Sequence, residues 1–167
     1  FVARRGAGGE WIPVSYAAML DRARRVGTAL LARSLSAERP IVILSGNSLE
    51  HLTLAMGALW AGISHVPVSV AYSLLSTDFA KLRHILANTT PGMVFADSPA
   101  FERAIKACVP ADCEVVLSSG RLDDRRTTAF EELLLQEPGP AELNAHLAVG
   151  LDTVAKVLFT SGSTALP

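Results

Sequence analysis

The sequence contains few cysteines, no long apolar run and no excess of positive charge. Its two cysteines, Cys108 and Cys113, are too few for a disulfide framework. No second cysteine pair or nearby histidine completes a zinc site, so we interpret both as ordinary thiols. The longest apolar stretch, residues 52–63, has about twelve residues where a membrane span needs about twenty, and it therefore predicts a buried helix.

The charge pattern gives no sign of a nucleic-acid partner. The net charge is −1 at pH 7, whereas nucleic-acid binding requires lysines and arginines clustered on one face. Four arginines do occur at helical spacing in the first predicted helix, which indicates a solvated face; they are Arg22, Arg24, Arg25 and Arg33. No signal peptide is predicted near Phe1, and we expect a cytoplasmic protein.

Length and composition predict one compact unit. The chain has 167 residues, of which 50% are hydrophobic and 19% are charged. A chain of this size buries roughly 70% of its unfolded surface. The mean hydropathy of +0.33 is high for a self-sufficient domain. We therefore expect some apolar surface to meet other protein, and the chain to self-associate as a dimer or larger species.

Short apolar runs alternate with helical patterns along the chain. The runs are residues 41–44, 64–70, 93–96, 114–117 and 157–159. The first has no polar alternation, which is typical of a parallel strand buried on both faces. The pattern predicts an α/β fold, with a mostly parallel, doubly wound sheet flanked by helices. Pro67 lacks an N–H and should lie at an edge, a bulge or the end of a strand.

Capping residues and prolines predict where the helices begin and end. Ser15 is expected to cap the first helix, and Ser98 with Pro99 to open another. Asn47 with Glu50, and Thr128 with Glu131, resemble capping boxes. A further helix should begin near Ser76 or Thr77, while Pro138 to Pro140 should break the last one. The glycine-rich residues 1–10 are expected to fray.

The last apolar run leads into a loop of small hydroxyl residues. Thr160, Ser161, Gly162, Ser163 and Thr164 follow where a strand would leave a sheet. Such a loop offers backbone N–H groups and hydroxyls to one anion, and glycine permits a close backbone approach. The spacing differs from that of the Walker A loop. The loop is the candidate phosphate-binding site.

This loop resembles the phosphate-binding signature of the adenylate-forming (AMP-binding) superfamily, [ST]-[ST]-G-[ST]-[ST]-G-x-P-K-G. The sequence departs from it at Ala165, where the second glycine is usual, and it stops at Pro167, before the lysine. Residues 14–16, 41–50 and 58–67 are similar to further core motifs of the superfamily, in the same order. Residues 67–73, Asp78 and residues 81–84 look most like feruloyl-CoA synthetases and related aryl-CoA ligases.

The resemblance implies an ATP-dependent acid–CoA ligase. Such enzymes activate a carboxylic acid, here an aromatic one, as an acyl-adenylate and transfer the acyl group to CoA, assisted by Mg²⁺. Residues 160–164 would hold the β- and γ-phosphates of ATP. Residues 1–167 would be the N-terminal part of an AMP-binding domain, truncated within the phosphate loop. The catalytic residues, the metal carboxylate and the adenine and acyl pockets would lie beyond residue 167.

Other chemistry-bearing residues favour structural interpretations. The four histidines show no ligand spacing and are interpreted as surface or satisfied core residues; they are His51, His65, His84 and His146. The adjacent acid pairs Asp123–Asp124 and Glu131–Glu132 indicate solvated faces. Trp60 is expected in the core. Tyr72, Ser73 and His84 are weaker candidates for an entrance to the acyl site. A non-catalytic binding or assembly module with the same fold is the alternative function.

The 167-residue chain alone should not form thioesters from ATP, CoA and a carboxylate. Catalysis requires both reactants to be held together, and only one phosphate-contacting element is present. Pyrophosphate exchange with a panel of carboxylates measures this directly. Exchange above a blank, in material free of host enzymes, contradicts the prediction.

Overall fold

The structure, a computed structural model, describes residues 2–160. The strands are β1 (Val2–Arg5), β2 (Trp11–Val14), β3 (Ile41–Leu44), β4 (His65–Pro67), β5 (Met93–Ala96), β6 (Glu114–Leu117) and β7 (Thr128–Ala129). The helices are α1 (Tyr16–Leu31), α2 (Leu49–Trp60), α3 (Ala71–Leu74), α4 (Ala80–Thr89), α5 (Glu102–Cys108), α6 (Phe130–Leu134) and α7 (Pro140–Leu147), with a 3₁₀ turn at Pro99–Phe101. Within residues 2–160, no helix has the length and apolar character needed to cross a bilayer.

Five parallel strands form the central sheet, in the order β4-β3-β5-β6-β7. Every residue of β3 and β5 is buried, which is why these strands have no polar alternation in the sequence. The predicted α/β class and parallel sheet are confirmed. Pro67 is the last residue of the edge strand β4, one of the positions expected of it. The two-residue strand β7 was not predicted, because it is too short to show a pattern.

Apolar residues on the two faces of the sheet form two separate cores. Val42, Leu44 and Val94 face the first core, which α4 and α5 cover. Ile41 and Ile43 face the second core, which is covered by α1, α2 and α6. Because successive strand residues point to opposite faces, β3 contributes to both cores. Helices on both faces make the sheet doubly wound.

The start of the chain forms a hairpin where the glycines predicted a frayed segment. Strand β1 pairs with β2 in antiparallel register, from Val2 opposite Val14 to Arg5 opposite Trp11. The turn contains Gly9 with φ +85°, a conformation that glycine adopts without steric cost. The Arg5 guanidinium donates to the Gly9 carbonyl at 2.8 Å and lies 4.2 Å from the centre of the Trp11 ring. These contacts explain why the segment is paired.

Three of the four arginines expected on a solvated face form ion pairs, namely Arg24, Arg25 and Arg33, and the fourth, Arg22, has a buried Nε without a partner among the described residues, which corrects that expectation. Arg33 forms two bonds to Glu114 at the start of β6, with Nε–Oε2 at 2.7 Å and Nη2–Oε1 at 3.0 Å. Arg24 forms a similar pair with Glu142, whose side chain is fully buried. The Arg24 guanidinium holds the pKa of Glu142 below its usual range. These pairs link α1 and the residues directly after it to distant parts of the chain.

Helix α7 was not predicted, because the prolines and glycine of residues 138–140 were interpreted as the end of the last helix. Pro140 is instead the first residue of the helix, a position where its missing N–H costs nothing. Glu142 also accepts a hydrogen bond from Trp60 Nε1, and the ring of His146 stacks on Trp60 with centroids 3.5 Å apart. Trp60 is half-buried in this cluster. Long-range contacts therefore hold α7 in place.

Several helix starts differ from the predicted ones. Ser15 caps α1 as expected, with its side chain accepting from Ala18 N. Helix α2 is capped by Ser48, one residue after the predicted Asn47, through a bond from His51 N. Helix α4 begins after Phe79, and the segment before it contains α3, which was not predicted. Phe79 has φ 56°, so the backbone turns there before α4 starts.

Thr128 does not cap a helix. It lies in β7, and its hydroxyl donates to Glu114 Oε1 at 2.8 Å. The N-cap of helix α6 is Ala129, one residue after the predicted Thr128. Glu132, rather than the predicted Glu131, accepts a hydrogen bond from Ala129 N at 2.9 Å. Glu131 lies three residues after Thr128, and Glu132 lies three residues after Ala129. The capping-box spacing therefore fits both positions, which is why the cap was predicted one residue early.

Gly57 should be required where α1 and α2 pack together. A Cβ atom at Gly57 would lie 2.6 Å from Val26 Cγ1 and 3.0 Å from the Ala23 carbonyl oxygen. We expect Gly57→Ala to lower the free energy of unfolding by about 1–3 kcal/mol, because the overpacking exceeds the gain in helix propensity. Urea denaturation measures the change. Gly150→Ala is the control, because its Cβ would meet nothing within 4 Å; an unchanged midpoint for Gly57→Ala contradicts the close packing.

Candidate functional site

The candidate phosphate loop follows a segment that runs beside the edge strand β4. Lys156 forms a parallel bridge with His65, Val157 N donates to the His65 carbonyl at 3.0 Å, and His65 N donates to Ala155 O at 3.4 Å. Val157 and Phe159 pack against the first core. The segment therefore runs in the same direction as β4, toward the carboxyl edge of the sheet.

The predicted strand at residues 157–159 is reduced to this single bridge, and Pro67 explains why. In β4, the backbone of Val66 faces β3, while His65 and Pro67 face the terminal segment. The next bond of a parallel ladder would run from the N–H of residue 67 to the carbonyl of Val157. Proline has no N–H, so the ladder cannot continue by that bond. Beyond the bridge, the segment is attached through Val157 and Phe159.

Of the five loop residues predicted to bind phosphate, only Thr160 lies within the described residues. It is exposed at the end of the terminal segment. Ser161, Gly162, Ser163 and Thr164 lie outside the described residues. The two departures from the superfamily signature, Ala165 and the stop at Pro167, lie outside them as well.

A polar cluster that was not predicted lies directly after neighbouring strands, at the same edge of the sheet. Asp97, directly after β5, accepts a hydrogen bond from Gly46 N at 3.0 Å through Oδ2. Its Oδ1 accepts from the Ser98 hydroxyl at 3.1 Å, and its carbonyl accepts from the Ser119 hydroxyl at 3.2 Å. Asp97 therefore links the ends of β3, β5 and β6.

This cluster occupies the switch point of the sheet. The chain passes from β3 to β4 on one side and from β5 to β6 on the other. Open α/β sheets bind ligands in the crevice that such a reversal leaves. Here the Asp97 carboxylate bonds to backbone and hydroxyl groups of the protein itself, so a negative charge already lies at this point. The signal in the sequence was polar residues directly after two buried strands, Ser45-Gly46 and Asp97-Ser98.

Ser45 and His51 form a close pair that has a structural role. Ser45 Oγ lies 2.8 Å from His51 Nδ1 and 2.9 Å from the Gly46 carbonyl oxygen. His51 Nδ1 is also 3.1 Å from that carbonyl. Because Ser45 is only 6% exposed and its hydroxyl is held within the turn, it is not presented to a substrate. The pair fixes the turn from β3 into α2.

His65 is a buried histidine with an unsatisfied ring nitrogen, which corrects the prediction of a satisfied core residue. Its Nδ1 has no hydrogen-bond partner among the described residues. Burial, followed by the nearby charges of Lys156 and His51, lowers the pKa of His65 to about 4. His65 is therefore neutral at pH 7, at the base of the segment that leads to the phosphate loop.

The weaker candidates for an acyl-site entrance lie on α3 and α4. Tyr72 packs against the first core, with Lys81 Nζ 5.0 Å from its ring centre. Ser73 is buried, and its hydroxyl has no partner among residues 2–160. His84 Nε2 lies 3.0 Å from Asn88 Nδ2 on the same helix.

The remaining candidates take part in structural contacts. Asp124 pairs with Lys106 on the surface, and Asp123 N donates to Glu102 Oε1 at 2.8 Å. Cys108 and Cys113 are free thiols. Within residues 2–160, no group of three or more His, Cys, Asp or Glu side chains could hold a metal ion.

Residues 2–167 match the family model described as AMP-binding enzyme. The chain belongs to this family. Tenellin synthetase of Beauveria bassiana is 29% identical over 158 residues, covering 92% of this chain and 3% of that protein. This AMP-binding chain therefore spans a small part of its curated relatives.

Solved structures give the same fold. ATP-bound MatB from Rhodopseudomonas palustris is 27% identical, with a TM-score of 0.63 over 97% of this chain and 29% of that one. A benzoate CoA ligase from Burkholderia xenovorans LB400 is 23% identical, with a TM-score of 0.67 over 86% of this chain and 27% of that one. The second likeness shows the fold alone. The AMP-binding chain has the N-terminal α/β fold of adenylate-forming enzymes, and spans less than a third of these two.

Protonation of His65 should destabilise the fold in acid. The folded pKa of about 4 lies below the usual 6.5, so the unfolded state binds the extra proton first, and stability falls as the pH drops from 6.5 to 4. The loss should be on the order of 3 kcal/mol. Urea denaturation across this pH range measures it in wild type and His65→Asn. The variant should lose less stability; equal slopes in the two proteins contradict a buried neutral His65.

Proposed function

We propose that this chain is the N-terminal part of an AMP-binding domain in an ATP-dependent acid–CoA ligase. The whole protein would activate a carboxylic acid as an acyl-adenylate and then transfer the acyl group to CoA. The preferred acid would be aromatic and feruloyl-like. The chain alone would be inactive, because the other reactant-binding elements are expected outside it.

The observation that carries this proposal is the direction of residues 156–160. They run parallel to β4 and lead the hydroxyl-rich sequence toward the carboxyl edge of the sheet. Membership of the AMP-binding family and similarity to a protein solved with ATP support a nucleotide substrate. The aromatic acid is supported by the resemblance of residues 67–73, Asp78 and residues 81–84 to feruloyl-CoA synthetases.

The loop residues have the chemistry that a polyphosphate requires. Hydroxyls of Thr160, Ser161, Ser163 and Thr164 and the loop amides would donate hydrogen bonds to phosphate oxygens. Gly162 would allow the backbone to pass close to them. Donors aimed at oxygens that gain charge stabilise the transition state more than the bound substrate. A bound Mg²⁺ would offset part of the remaining charge.

An adenylation domain of a peptide synthetase is the second candidate. It is favoured by a curated relative described as a probable non-canonical nonribosomal peptide synthetase, CymA of Salinispora arenicola, which is 26% identical over 154 residues. Both candidates share the ATP-dependent first step and differ in the acid and in the acceptor. Pyrophosphate exchange by the full protein that contains this sequence should respond to hydroxycinnamates and benzoates, and CoA should then give a thioester. Exchange only with amino acids, and no CoA thioester, would favour the peptide synthetase; no exchange with any acid would favour a non-catalytic module.

Replacing Thr164 by alanine should slow adenylation in the full protein. The change removes one charge-assisted hydrogen bond, worth about 1.5–3 kcal/mol, or roughly ten- to a hundredfold in rate. If the bond strengthens as pyrophosphate leaves, the loss appears in kcat more than in ATP affinity. Gly162→Val should be worse, because a β-branched side chain fits a positive φ poorly and crowds the phosphate.

The second half-reaction provides the internal control. Thioester formation from pre-made acyl-adenylate should change little in either variant, because no triphosphate remains to be held. Thr77→Ala, at an exposed threonine far from the loop in sequence, is the matched control for adenylation. Equal losses in both half-reactions, or none in either, would show that the loop has another role.

A further inference from the structure

A cleft at the amino-terminal edge of the sheet has no part in the proposed reaction. It encloses about 430 Å³, and its walls include Arg39, Arg83, Leu86, Pro91, Cys108 and Cys113. Arg39 lies just before β3, Pro91 just before β5, and Cys113 directly before β6. Because these strands are parallel, the cleft lies at the edge opposite Asp97 and the terminal segment. We call it the basic cleft.

The guanidinium groups of Arg39 and Arg83 in the basic cleft have N–H donors without a hydrogen-bond acceptor among the described residues. Among residues 2–160, Arg83 has no hydrogen-bond acceptor or ion-pair partner. Hydrogen bonds from Ala80 and Ser76, and behind them the charge of Arg83, lower the pKa of Asp78. The Arg39 side chain makes one bond, from Nε to the Ser34 carbonyl at 3.1 Å. Its two terminal nitrogens have no partner among the described residues. By contrast, Arg24, Arg25 and Arg33 each pair with a carboxylate.

Arg39 is exposed, and contacts around it fix its backbone and the Nε end of its guanidinium group. Arg39 N donates to Ser36 Oγ at 3.1 Å, and the Thr90 hydroxyl donates to the Glu38 carbonyl at 3.2 Å. A Cβ atom at Gly92 would lie 3.3 Å from both Nε and Nη2 of Arg39. The glycine therefore lets the guanidinium lie close against the start of β5. A positioned guanidinium loses less freedom when it binds a ligand.

The rest of the basic cleft is apolar and carries little negative charge. Burial raises the pKa of Cys113 to about 11 and that of Cys108 above its usual value, so both thiols are protonated at pH 7. Asp112, which is exposed, is the acidic residue in the lining. Two arginines and one carboxylate leave a net positive charge beside an apolar wall. Such a cleft suits a ligand with an anionic head and an apolar body.

We propose that the basic cleft binds a small oxyanion, a carboxylate or a phosphate, attached to a compact apolar group. The head lies between Arg39 and Arg83, because the planar guanidinium fork matches both oxyanions. The apolar group lies against Leu86, Pro91 and Cys108. This site is distinct from the phosphate loop and would hold a second ligand of the protein.

Calorimetric titration of the full protein, without ATP, tests the proposal with three probes. Benzoate and phenyl phosphate carry the two anionic heads, and benzamide is the neutral analogue of benzoate. Because benzoate is also a candidate substrate of the proposed reaction, only binding that Arg83→Gln weakens is counted as binding to the basic cleft. We expect at least one anion to bind, with benzamide roughly tenfold weaker or worse. A preference for benzoate or for phenyl phosphate identifies the head group. Equal binding of benzamide and both anions, or no binding of either anion, overturns the proposal.

Variants then locate the site. Arg83→Gln and Arg39→Gln should each weaken binding about tenfold or more, while Arg121→Gln, at an exposed arginine outside the cleft, should leave it unchanged. Arg83 is exposed and has no hydrogen bond to lose, so its replacement should fold normally. Wild-type affinity in Arg83→Gln overturns the proposal even if Arg39→Gln is unstable.

Alkylation of Cys108 provides a second readout at the site itself. The bound anion should slow the reaction of Cys108 with iodoacetamide in wild type but not in Arg83→Gln. The Cys108→Ser variant shows which part of the alkylation comes from Cys108 and which from Cys113. Unprotected Cys108 at saturating anion places the ligand elsewhere and contradicts the proposal. Neither readout depends on adenylation. In Thr164→Ala, where adenylation should be slower, the anion binding at the cleft and the protection of Cys108 should both stay unchanged. The test of this site is therefore separate from the test of the proposed reaction.

Discussion

The fold depends on the burial of β3 on both of its faces. Ile41 and Ile43 face one core, and Val42 and Leu44 face the other, with every residue of the strand fully buried. Its backbone groups pair with β4 on one side and β5 on the other. Because buried backbone groups must be paired and apolar side chains must leave water, both layers of helices have to assemble around this strand.

The same arrangement separates the molecule into two chemically different edges. At the carboxyl edge, Asp97 places a negative charge among backbone amides and serine hydroxyls. At the amino edge, Arg39 and Arg83 place two positive charges beside protonated thiols. Since strands in a parallel sheet all end at the same edge, short polar segments that are far apart in sequence come together at each end. The two edges can therefore serve different ligands.

Features set by local sequence were predictable, and features set by distant partners were not. The buried strands β3 and β5 were located from their apolar runs, and α1 from its stripe and from Ser15. Helix α7 was missed because its anchor, Glu142, bonds to Arg24 at a separation of 118 residues. The cap of α2 was placed one residue early, because Asn47 and Ser48 both suit that position.

The candidate site also has one part that local sequence predicts and another part that depends on distant residues. The hydroxyl-rich loop is visible in the sequence, because its residues are adjacent and their types match one ligand. The Asp97 cluster was not predicted, because Gly46 and Asp97 lie 51 residues apart and only the fold brings them together. The unsatisfied nitrogen of His65 could not be foreseen either, since it depends on what surrounds the ring. Sequence alone therefore indicates the ligand-binding residue types but not the scaffold that positions them.

Pro67 has a consequence for the loop that follows the terminal segment. A complete ladder would fix the orientation of residues 157–160 through directional hydrogen bonds, but here the bond that residue 67 would donate is missing. Val157 and Phe159 attach the segment through apolar contact, which has little directional preference. Beyond Val157, apolar packing therefore holds the segment at the place where a ladder to β4 would otherwise hold it. A single imino acid in the edge strand thus replaces a directional hydrogen bond by non-directional apolar contact where the chain leaves the sheet.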